Sequence, residues 1–91
     1  MYDIFGIALS SLKAAGTRLG ASAHNVANIQ TEEFRPHRVV SFDRKGGGVE
    51  ARAFRQDRPD RVDLSREAVE RSRAEVSFRA GLQVIRDEEK R

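Results

Sequence analysis

Three features of this chain invite a chemical reading: two histidines, a set of serines at helical spacing, and a run of three glycines. His24 and His37 stand thirteen residues apart, with no cysteine in the chain and no carboxylate at the separations that metal ligation uses, so no metal site is expected. Ser10, Ser11, Ser22, Ser65, Ser72 and Ser77 lack the neighbouring base and orienting acid that would make a hydroxyl nucleophilic. Gly46-Gly47-Gly48 resembles a phosphate cradle only superficially, because no Lys-Ser/Thr pair follows it and no helix starts there. It reads as a flexible, solvent-facing turn. The chain is therefore expected to be neither an enzyme nor a cofactor carrier.

The elements that hold these residues are more informative. Phe5, Ala8, Leu12, Ala15, Leu19, Ser22, Val26 and Ile29 alternate steps of three and four, which puts one seam along a helix spanning residues 3–29, with Asp3 as its N-cap. Gly6, Gly16 and Gly20 each weaken that helix by about 1 kcal/mol relative to alanine, so it needs a partner along the seam. A second helix is predicted over 63–88, capped by Asp63, with Leu64, Phe78, Leu82 and Ile85 on one side and Val69 and Val76 on an adjacent stripe. Arg71 and Ser72 interrupt it midway. Between the helices, residues 36–60 hold two short runs around the glycines, the second alternating apolar and charged side chains, and a turn at Pro59, which predicts one β-hairpin. Its half-buried face is expected to set Val49, Ala51 and Ala53 opposite Val40 and Phe42, forming a contact with a helix or with a second subunit.

The expected fold is thus mainly α with a small β-hairpin: two long terminal helices paired as a coiled-coil-like hairpin and joined by a short β-ribbon, in a single domain over residues 1–91. At 91 residues, with 38% apolar and 34% charged side chains, such a domain is marginal alone. No apolar stretch is long enough to span a bilayer, and the N-terminus lacks the pattern of a cleavable secretory signal. The net charge of +3 admits a second reading: a small basic nucleic-acid-binding or regulatory module using Arg35, Arg38, Arg44, Lys45, Arg52 and Arg55. Interspersed acids, as in Asp57-Arg58-Pro59-Asp60-Arg61, favour a solvated surface, and nucleic acid is the lesser reading.

Ala8-Leu9-Ser10-Ser11-Leu12-Lys13-Ala14-Ala15, followed by Asn25-Val26-Ala27-Asn28-Ile29-Gln30-Thr31-Glu32-Glu33-Phe34, resembles the N-terminal signature of the bacterial flagellar axial proteins of the rod and hook. Val62-Asp63-Leu64-Ser65-Arg66-Glu67-Ala68-Val69, with Phe78 and Val84-Ile85 beyond it, is similar to their C-terminal signature. The matching motif positions are Asn25, Ala27, Asn28, Thr31, Phe34 and Asp63. The resemblance implies a self-assembling structural subunit of the basal-body rod or rod–hook region. Its partners would be other rod and hook subunits, further copies of itself, and the flagellar export apparatus. It would reach the periplasmic rod by type III export without a cleaved signal peptide, and it would serve motility. The helices would meet through Phe5, Leu12, Leu19, Val26 and Ile29 against Leu64, Val69, Val76, Phe78, Leu82 and Ile85, within and between subunits. Asn25, Asn28 and Thr31 would end the first helix by side-chain hydrogen bonds, and Val40, Phe42, Val49 and Ala51 would form a hairpin contact. Glu33 stands where the family has glycine, so the turn before Phe34 is expected to be made differently. Ala68, Arg71 and Ser72 also depart from the family pattern, and the short middle segment points to a small rod-like member.

Overall fold

The computed structural model describes residues 3–90; Met1, Tyr2 and Arg91, the ends of the expected domain, lie outside that range. The order is α1 (Ile4–Ala27), β1 (His37–Asp43), β2 (Val49–Arg55) and α2 (Leu64–Glu89). Two long helices pack together, and a two-stranded antiparallel hairpin joins them.

Both helix starts follow from their caps. The Asp3 carboxylate accepts from the Phe5 amide at 3.1 Å, and Asp63 accepts from the amides of Ser65 at 2.9 Å and Arg66 at 3.4 Å, satisfying donors that a helix N-terminus otherwise leaves free. Asn28 closes α1: its side-chain amide donates to the His24 carbonyl at 2.9 Å, and the Thr31 hydroxyl donates to the Asn28 side-chain oxygen at 3.1 Å.

The helix seam is made of small residues. Ala8, Ala15 and Ser22 are buried on α1 at seven-residue intervals, and Glu67, Ala74 and Gly81 are buried on α2 at the same interval. Two contacts fix the antiparallel register. The Ser22 hydroxyl donates to the Glu67 carbonyl at 3.3 Å, and a Cβ added at Gly81 would lie 3.5 Å from the Ala8 carbonyl oxygen and 3.0 Å from Leu12 Cδ2. That register sets Ala15 opposite Ala74 midway, and both are essentially without exposure. Side chains this small let the two backbones approach closely.

The expectation that the large apolar side chains fill the seam is corrected here. Phe5, Val26, Ile29, Leu64 and Phe78 are each about 40% or more exposed, while Leu12, Leu19, Leu82 and Ile85 are half-buried on the flank. Val69 and Val76 do not face α1 at all. They sit about half a helical turn from the Glu67–Ala74–Gly81 line, and Val76 is 69% exposed.

The strands pair from His37 with Arg55 to Asp43 with Val49. Val39 and Ser41 therefore share a face with Val49, Ala51 and Ala53, whereas Val40 and Phe42 share the other with Glu50, Arg52 and Phe54. The expected grouping of Val40 and Phe42 with Val49 and Ala51 is wrong by one residue of register, which inverts the face. Val49 and Ala51 are half-buried beside α1, and Phe42 is 48% exposed on the outer side.

The molecule is long and thin, 52 × 23 × 14 Å, with a radius of gyration of 15.2 Å against about 12 Å for a compact chain of this length.

Candidate functional site

Two features stand out: a buried polar node that ties α1, β1 and α2 together, and the apolar surface left uncovered around it.

The node centres on Asn25, which is 1% exposed. Its side-chain oxygen accepts from the His37 amide at 2.7 Å, and its side-chain nitrogen donates to the His37 carbonyl at 3.0 Å. The amide group so imitates a neighbouring strand and occupies the outward edge of β1 where that strand begins. The same nitrogen donates to a carboxylate oxygen of Glu67 at 3.2 Å. Glu67 is 4% exposed, and the Arg38 guanidinium stands 3.8 Å from that oxygen. Asn25 does not end α1 as expected; it joins α1 to both β1 and α2. Asn28 and Thr31 do close the helix end, and Ala27 is the last residue of α1.

A second clamp lies fifteen residues earlier on α1. The Ser10 hydroxyl donates to the Ile7 carbonyl at 2.7 Å and accepts from the Val49 amide at 3.0 Å, at the start of the β2 edge. Fifteen helical residues span about 22 Å, and six strand steps span about 20 Å, so the hairpin lies along α1 with both ends pinned. This changes the reading of the glycines. A Cβ at Gly48 would fall 2.5 Å from Ser10 Oγ, and its φ of +90° favours glycine. The run is packed against α1 at Gly48, whereas nothing lies within 4 Å of a Cβ added at Gly46.

Beyond α1, the chain turns at Glu33, whose φ is +54°. The turn is made with the conformation that glycine would adopt, not in another way, and a glutamate holds it. Phe34 then lies against His24, with ring centroids 5.7 Å apart, and His24 stacks on His37 at 4.3 Å. Burial, with the nearby His24 and Arg55 charges adding to it, lowers the His37 pKa below its ordinary value. His24, on the exposed surface of α1, and His37, the first residue of β1, are thus stacked neighbours. Among the described residues, no group of three or more His, Cys, Asp or Glu is placed to hold a metal ion. No helix of the described residues is long and apolar enough to cross a membrane.

The uncovered surface has two parts along the helices. On one flank of the seam, Phe5, Leu12, Leu19 and Val26 recur every seven residues as a ridge, and Leu19 and Val26 share a groove with Leu64 and Ala68. On the other flank, the hairpin and α2 are arms of a V with α1 at its vertex. Arg18 crosses this V halfway, 3.8 Å from Glu70 and hydrogen-bonded to Ser41. The rest of the V is an open apolar trough.

Sequence reasoning placed Ser22 on the seam but missed Ser10, Arg18, Arg38, Glu67 and Glu70 as structural contacts. One signal for the seam was present: Ala8, Ala15 and Ser22, set against Glu67, Ala74 and Gly81, are matching heptads of mostly small residues. In comparisons with known proteins, no family model matches the chain, and no curated protein matches it.

Proposed function

We infer that this chain is a non-enzymatic structural subunit that folds fully only in an assembly of like helical subunits. The observation that carries this is the composition of its interior. Every buried hydrophobic residue among those described is an alanine, while thirteen large apolar side chains remain exposed. A buried alanine removes little apolar area from water, whereas covering a leucine or phenylalanine contributes about 1.5–3 kcal/mol. The stabilisation this sequence is equipped to gain therefore lies mostly between molecules.

The terminal signatures supply the kind of assembly. Their resemblance to the rod and hook proteins, together with paired terminal helices of nearly equal length, supports a subunit of the bacterial flagellar basal-body rod or rod–hook region. The basic-module reading loses ground because Arg38 is paired with Glu67, and Arg52 is paired with Glu50 and lies over the Phe42 ring.

Two measurements test this reading. Helicity by circular dichroism should rise with protein concentration as mass action stabilises the associated state; helicity that is complete and concentration-independent, with a monomer throughout, would overturn self-assembly. Basal bodies purified from cells carrying an epitope-tagged copy should contain the chain in the rod. Its absence from intact basal bodies would overturn the flagellar placement.

A further inference from the structure

We propose that copies of this chain associate head-to-tail, with the ridge of one seated in the trough of the next, a geometry that rests on the assembly reading above and adds to it. The two flanks of the α1–α2 seam differ in kind. The ridge presents large side chains, Phe5, Leu12, Leu19 and Val26, at a spacing of about 10.5 Å. The trough, about 650 Å³, has small residues at its floor and far wall, with Ala14, Ala80 and Gly81 among them, and Ile7, Val49 and Val84 at its margins. That volume is roughly four times what accommodates a benzene ring. Its open part runs from Ile4 to Arg18, about 21 Å along α1, which is two heptads of the ridge.

The exposed area supports two such contacts per molecule. A compact monomer of 10.2 kDa exposes about 5,300 Å², whereas this chain exposes 6884 Å². The excess of about 1,600 Å² corresponds to two faces of the ~800 Å² that one partner buries in a standard specific interface. A two-fold dimer formed ridge to ridge would cover one of them and leave the trough open. Joining unlike surfaces covers both, and such a contact continues from copy to copy, giving a ring or an open filament.

The test uses full-length chains with one surface blocked. Ala80→Arg obstructs the trough from an exposed position; Leu9→Arg with Leu64→Arg charges the ridge flank at two residues already about half exposed. Sedimentation velocity and circular dichroism are run on the parent, on each variant and on their equimolar mixture. The parent should grow beyond dimers with concentration, each variant alone should stay a single chain, and the mixture should form a 1:1 pair, regain helicity and stop there. A mixture that stays unassociated while the parent assembles would overturn the ridge-in-trough contact and leave self-assembly standing. So would either variant assembling as the parent does. A parent that does not associate at any concentration would overturn the self-assembly reading and this geometry with it.

Discussion

Replacing Asn25 with alanine removes three hydrogen bonds at once: two with the His37 backbone at 2.7 and 3.0 Å and one to the Glu67 carboxylate at 3.2 Å. The two neutral bonds are worth roughly 1 kcal/mol each, and the bond to a charged acceptor roughly 1.5–3 kcal/mol, giving a loss of about 3–5 kcal/mol. The Glu67 carboxylate, 4% exposed, also loses a donor and keeps Arg38 at 3.8 Å. For a domain that is marginal alone, the low end of the usual 0.05–0.15 kcal/mol per residue gives about 5 kcal/mol, so Asn25→Ala should bring it near the margin. Urea titrations at matched protein concentration should show the midpoint falling by roughly 2 M, for a slope of about 1–3 kcal/mol per M. Amide exchange at His37 should accelerate more than at the neighbouring strand positions. Asn28→Ala is the control, since it forfeits two exposed helix-end bonds worth about 1 kcal/mol each at most. Equal midpoints for the two variants, with His37 still protected, would refute the reasoning, because Asn25 would then be no more than a helix terminator.

Three further outcomes follow from the geometry. Gly48→Ala should cost roughly 2–3 kcal/mol in denaturant titrations, because its Cβ meets Ser10 Oγ at 2.5 Å in a backbone conformation that disfavours side chains; Gly46→Ala, with the same φ of +90° and open space, should cost only about 1 kcal/mol. Glu33→Gly should raise the melting temperature modestly, by relieving about 1–2 kcal/mol of left-handed strain at φ +54° against about 0.5–1 kcal/mol of added chain entropy; a lowered melting temperature would show that the Glu33 side chain contributes more than its backbone costs. For pH, the folded state holds His37 with a lowered pKa, so below the ordinary 6.5 the unfolded chain binds more protons. Stability from this group is complete above about pH 6.5 and is lost as pH falls from there through the folded-state pKa; His37→Gln should flatten that fall in melting scans between pH 7.5 and 5.5.

The helices and the hairpin were legible because their signals are local. Asp3 and Asp63 each stand one residue before a helix, and the expected spans of 3–29 and 63–88 differ little from Ile4–Ala27 and Leu64–Glu89. Which half of the α1 heptad is buried was not legible from hydrophobicity, which ranks Leu12 and Phe5 above Ala8 and Ser22. Closeness of approach decides it: the seam is set where both helices are narrow, and the larger residues are displaced to the flank. The strand faces failed for a related reason. The hairpin register depends on Arg44 pairing with Gly48, where the Arg44 amide donates to the Gly48 carbonyl at 3.0 Å. Three consecutive glycines with φ near +90 to +106° specify no standard turn from which that pairing could be read.

The buried polar node has a physical role that the seam itself cannot fill. Small residues repeated every seven positions fit nearly as well after a slip of one heptad, since alanine then meets alanine, glycine or serine again. Such a slip would set Glu67 against Ala15, or against Ile29, and strand a carboxylate in an apolar contact at a cost of several kcal/mol. Only the observed register places Glu67 beside Asn25 and Arg38 and also aligns Asn25 with the edge of β1. A buried ion pair contributes little to net stability, but it penalises the alternatives. In a chain whose apolar side chains face outward, register fixed from inside is what keeps the ridge and the trough in constant relation, so that every copy presents the same two surfaces.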